Sequence, residues 1–153
     1  MAGNLEVSFN SPQCGWMSIG FYDGVHEFHT TTAHAPYQGA LGDLMQILTE
    51  MKSASNPIER TLKWNRDPEE FDFRFSSENG TASVQIYEYP TDEREETEKK
   101  LVFSHTAVID SVTAAFAKTF EQLYADRETD EFEFNWREPF PFDEYERFRS
   151  ATA

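Results

Sequence analysis

Between Glu69 and Pro90 the chain alternates. Phe71, Phe73 and Phe75 are separated by Asp72 and Arg74, and Ala82, Val84 and Ile86 by Ser83 and Gln85. A two-residue period puts one set of side chains on a buried face and the other in water, so both runs are predicted strands. Asn79-Gly80 lies between them and supplies the positive φ angles of a tight hairpin turn. Leu5, Val7 and Phe9 alternate in the same way, as do Met17, Ile19 and Phe21 within Trp16–Tyr22. Asp23-Gly24 predicts a second hairpin turn, leading into Val25–Thr32, which is β-branched and polar enough for an edge position. Leu101 to Val108 predicts a further strand with Leu101, Phe103 and Ala107 on one face. Ile58 to Trp64 fits either a short strand or a connection, and Asn65-Arg66-Asp67-Pro68 is a turn.

Helical period takes over twice. From Tyr37 to Lys52 the stripe is Tyr37, Leu41, Leu44, Met45, Leu48 and Met51, with Asp43, Gln46 and Glu50 opposite. Gly39 and Gly42 are poor helix formers and imply close packing on the sheet or an irregular first turn. The second helix is capped by Asp110 and runs to about Ala125, with Ile109, Val112, Phe116, Phe120 and Leu123 inward. Thr91 to Lys100, TDEREETEKK, has no apolar member and is expected as a solvated, mobile loop.

In the last third, Phe132, Phe134 and Trp136 alternate with Glu131, Glu133 and Asn135, a possible extra strand. Pro139 and Pro141 hold the next segment extended. Asp143 with Glu146 then forms a capping-box pattern for a short last helix carrying Tyr145 and Phe148 inward. The expected architecture is one α+β domain over residues 1–153. It has a single antiparallel sheet of about six strands in βββα-βββα order, two main helices on one face, and a short C-terminal helix.

Composition supports a core. Hydrophobic residues are 39% of the 153, but 14 Phe, 6 Tyr and 3 Trp each bury about 150–250 Å² when packed. The net charge of −15 changes the functional picture more. Residues 121–153 alone carry ten acids against four bases. Such a chain repels nucleic acid and anionic lipid and is drawn to basic partners. No stretch approaches the ~18–20 apolar residues of a membrane span, and MAGNLEVSFN lacks the basic and apolar regions of a signal peptide. Cys14 is the sole cysteine, so no intrachain disulfide forms, and a reducing, cytoplasmic location is expected.

Candidate chemistry is sparse. His26 and His29, with His34 nearby, are the metal-ligand candidates, but strand positions three apart point to opposite faces. His105 falls in a predicted strand with no evident partner, and Cys14 has no neighbouring Lys or Arg to activate it. Neither GxGxxG nor GxxxxGK[ST] occurs, and no cofactor is expected. The C-terminal third interleaves rings with acids, the composition of a surface for a basic protein, where aromatics anchor and charge steers. Its candidate partner-binding residues are Glu131, Glu133, Trp136, Glu138, Phe140, Asp143 and Glu144.

Three features carry a family resemblance. They are Pro36-Tyr37 before Leu41 and Leu44, Trp64 with Pro68 before the Phe-rich hairpin, and the closing Trp136 with Pro139-Phe140-Pro141. With these the chain resembles an uncharacterised family of small acidic bacterial proteins, some of which look like cytoplasmic immunity proteins of polymorphic-toxin systems. The resemblance implies a binding module that blocks a toxin. The expected function is therefore a non-enzymatic, cytoplasmic protein whose acidic, aromatic-containing surface engages a basic protein. One alternative is a self-associating scaffold pairing through a sheet face or the edge near Val25–Thr32. The other is a metal-dependent enzyme using the region of His26, His29 and His34.

Overall fold

In the computed structural model, which describes residues 3–153, the alternating stretches become seven strands. These are β1 (Glu6–Phe9), β2 (Trp16–Tyr22), β3 (Glu27–Ala33), β4 (Ile58–Asn65), β5 (Glu70–Glu78), β6 (Thr81–Tyr89) and β7 (Lys100–Val108). The helices are α1 (Ala40–Ser53), α2 (Ile109–Asp126), the single-turn α3 (Phe132–Trp136) and α4 (Phe142–Thr152). The α+β class is as expected, and the single sheet is not. The strands form two antiparallel sheets, ordered β1-β2-β3 and β4-β5-β6-β7.

The rings explain the division. Phe21 of β2 lies with its centroid 6.0 Å from Phe73 of β5 and 5.5 Å from Phe103 of β7. The two ring-bearing faces thus meet each other. One continuous sheet would present more apolar face than two helices can cover, whereas two sheets in contact bury part of it mutually. The Trp64 indole donates across the junction to the Ala33 carbonyl at 3.2 Å. β3 is an edge strand, as its polar composition predicts.

The β5–β6 hairpin matches its pattern closely. Phe71, Phe73, Phe75, Ala82, Val84 and Ile86 are all fully buried. Asn79 and Gly80 both take left-handed φ, 52° and 79°, as a two-residue turn requires. β7 departs from expectation because the register slips between Ile86 and Tyr87, so that Ile86 faces Phe103 and Tyr87 faces Leu101. Phe103 is buried and Leu101 is left half-exposed.

Both main helices bury the predicted stripes, but their starts differ. α1 begins at Ala40 rather than Tyr37, because Gly39 sits at φ 75° just before it. Gly42 answers to α4 instead of the sheet. A Cβ there would stand 3.1 Å from Glu144 Oε2 and 3.2 Å from Pro141 Cβ. Asp110 is not the cap of α2; it lies in the first turn and pairs with Lys52. Asp143 likewise makes no cap hydrogen bond, since Pro141 holds that position before α4. Residues 132–136 form a helical turn and not a strand, which buries Phe132 and Trp136 four apart and leaves Phe134 outside.

The acidic connection between β6 and β7 is held in place. Arg94 reaches back to donate through Nε to Glu70 Oε1 at 2.9 Å, through Nη1 to Asp72 Oδ1 at 2.5 Å, and to the Phe71 carbonyl at 3.2 Å. Glu70, buried at 1% exposure, also accepts from the Tyr37 hydroxyl and the Asn65 amide. Burial and the Glu70 acceptor push the Tyr37 hydroxyl up, with Arg94 opposing. Arg94→Ala is expected to cost about 1–3 kcal/mol by stripping a buried carboxylate of its charged donor. It should also render residues 91–99 cleavable by limited proteolysis while wild type resists there; equal digestion would refute the tether.

Candidate functional site

The C-terminal third folds back on α1 and splits its rings into two sets. Phe132, Trp136, Phe140, Tyr145 and Phe148 are buried, and Phe134 and Phe142 are 79% and 46% exposed. Phe140 packs 5.4 Å from Phe132 and 5.5 Å from Tyr145, and Trp136 lies 6.4 Å from Trp64. Two of the aromatics predicted to meet a partner, Trp136 and Phe140, are therefore core residues. Their helical placement hides them, and the exposed rings of this segment are Phe134 and Phe142. Phe142 is shared by the Arg127 guanidinium, 5.3 Å from its centroid, which also stacks 4.0 Å over Tyr124.

The predicted acids remain accessible. Glu131, Glu133 and Asp143 are exposed, and Glu138 and Glu144 are half-buried. Asp143, Glu138 and Glu144 join Asp43 of α1 around a groove of about 610 Å³, whose lining contains no Lys, Arg or His. Glu138 Oε1 accepts from the Gly39 amide at 3.0 Å, while its Oε2 is buried without a partner. Glu144 pairs at 3.6 Å with Arg147 outside the groove. Burial pushes the Asp43 carboxyl up, and the Glu144 charge pushes it in the same direction. The groove thus concentrates negative charge that its own lining does not neutralise. Asp43 was legible only as a polar position on α1, because nothing in the chain order brings residue 43 to residue 144.

The three N-terminal histidines do not converge. His29 lies on β3 with its Nε2 2.7 Å from Glu27 Oε1 on the exposed side, and His26 lies in the preceding hairpin. His34 is edge-on to Trp136 at 6.3 Å, on the far end of the strand. Among the described residues no three His, Cys, Asp or Glu side chains stand close enough to hold a metal ion.

His105 does have a partner. Its Nδ1 lies 3.0 Å from Asp23 Oδ2, with both side chains buried. Asp23 Oδ1 also accepts the Val25 and His26 amides at 2.9 and 2.7 Å. Burial acts to raise the Asp23 carboxyl, but the donors from His26, His105 and Val25 outweigh it and hold it well below the usual carboxylate range. The pair joins the β2–β3 hairpin to the second sheet.

With that geometry in hand, the chain defines an acidic, two-sheet α+β protein. No family model, curated protein or solved structure matches it. No helix among the described residues is long and apolar enough to cross a membrane.

Proposed function

We propose that this protein is a non-enzymatic binding protein whose acidic surface around residues 131–144 engages a basic protein. The observation that carries this reading is the groove between α1 and the 138–144 segment. Four carboxylates line it, no cationic side chain does, and one of its acids, Asp43, is held above its ordinary value by burial and, in the same direction, by the Glu144 charge. A lysine or arginine entering the groove would relieve the repulsion between Asp43 and Glu144, and Phe142 in its lining offers apolar contact. Glu131 and Glu133 extend the field and would steer the approach. The family resemblance supports a toxin as the basic protein, and the free thiol of Cys14 is compatible with the cytoplasm.

The test couples charge to stability. A carboxyl whose pKa is raised by folding destabilises the native state once ionised, so its cost appears as pH rises through that value. Asp43→Asn should therefore stabilise the free protein at pH 7, by at most about 0.5 kcal/mol because solvent screens the site. The same variant should slow association with the co-purified basic partner. The wild-type association rate should also fall at least about tenfold between roughly 0.05 and 0.5 M salt. A rate indifferent to both salt and Asp43 would reject the assignment.

A further inference from the structure

A second cleft, of about 650 Å³, opens where five segments distant in sequence meet. One wall is built around Gly15. A Cβ there would stand 2.8 Å from His34 Cδ2 and 3.5 Å from Arg137 Cδ, so the imidazole and the arginine side chain flank the same backbone position. The acids that line the same cleft are Asp67 in the β4–β5 connection, the buried Glu70 at the start of β5, and Asp92 in the β6–β7 connection, a loop tethered to Glu70 by Arg94. Trp16 adds an indole that is 38% exposed.

Two observations set this cleft apart. Glu70 is fully engaged by Tyr37, Asn65 and Arg94, whereas among the described residues the side chains of His34, Asp67, Asp92 and Arg137 enter no hydrogen bond or ion pair. Charges of both signs thus share one cleft without neutralising each other. The backbone is also held in an unusual state. Of six non-glycine residues with left-handed φ among the described residues, three line the cleft, Cys14 at 53°, Asp67 at 58° and Arg137 at 71°, and Arg94 at 50° tethers the loop that carries Asp92. Such conformations cost energy and persist where surrounding structure imposes them, often to present side chains to a ligand.

We propose that this cleft binds a small zwitterion of the amino-acid class. The ligand's carboxylate is held by Arg137 and His34, its ammonium by Asp67 and Asp92, and its side chain lies against Trp16. A ligand carrying both charges matches both walls at once, and one carrying a single charge leaves the other wall unmatched. The site is separate from the acidic groove and does not depend on the basic-partner assignment.

The test is an amide-resonance titration of the full chain with free L-amino acids up to about 10 mM, tenfold above a millimolar affinity. Each amino acid is compared with its decarboxylated amine and its N-acetylated form. The expected result is a perturbation of Gly15, Asp67, Asp92 and the Trp16 indole by at least one amino acid. Both single-charge analogues should bind about tenfold or more weakly, the equivalent of one lost charged hydrogen bond. Asp67→Asn and Arg137→Asn, which keep a residue tolerant of left-handed φ, should each weaken binding to a similar degree. Absence of any perturbation at the cleft would overturn the proposal. So would analogues that bind as well as the parent, a comparison made on wild type and independent of how the variants fold.

Discussion

Phe73→Ala is expected to destabilise the protein by about 3–5 kcal/mol, the range for emptying a buried phenylalanine site. The ring is fully buried and sits where both sheets meet, with Phe21 at 6.0 Å, Trp64 at 5.9 Å and Phe71 at 6.1 Å. Three large aromatics surrounding one site cannot all close in, so most of the cavity should remain, and the cost should lie toward the upper end. Urea unfolding of the variant measures it directly. Phe134→Ala is the matched control, because that ring is 79% exposed and its removal should fall within about 0.5 kcal/mol of wild type. A loss below 1 kcal/mol for Phe73→Ala would mean the ring does not serve as the junction of the two sheets.

Asp23→Ala should be of similar size, about 3–5 kcal/mol, for a different reason. Its carboxylate receives the Val25 and His26 amides and the His105 ring, and all of these lose their acceptor together. Asp23→Asn should recover a large part of the loss, since an amide oxygen can still accept from the two backbone donors. The pH dependence carries a sign. Folding depresses this carboxyl, so its contribution is fully present above the unfolded value near 3.9 and is withdrawn as pH falls toward the folded one. The stability gap between wild type and Asp23→Ala should therefore narrow as pH falls below about 4. A gap that stays constant down to pH 2.5 would show that the ionised carboxylate is not what holds the hairpin.

Much of this molecule could be read in one dimension. The β5–β6 hairpin was legible because the alternation, the Asn79-Gly80 turn and the ring spacing all give the same answer. The buried stripes of α1 and α2 were legible for the same reason, with period 3.6 replacing period 2. Residues 132–136 were misread because a five-residue segment is too short to separate the two periods: Phe132, Phe134 and Trp136 fit a strand, while Phe132 and Trp136 alone fit a helix. The capping signals at Asp110 and Asp143 failed because tertiary demands took precedence. Lys52 claimed the first carboxylate, and the Pro141 backbone set the start of α4. The acids of the candidate partner surface were visible as composition, but their convergence with Asp43 was not.

By itself the amino-acid order determined most of the strands, the two main helices and which of their faces are apolar, because those properties depend on neighbours within a few residues. It also determined the net charge of −15. Only the tertiary structure decided that the strands split into two sheets, that His105 belongs to Asp23, that Trp136 and Phe140 are interior, and that His34, Asp67, Asp92 and Arg137 line one cleft. Each of those is a contact between residues tens of positions apart, and such contacts are settled by how the apolar faces close over one another, a competition that local pattern does not encode.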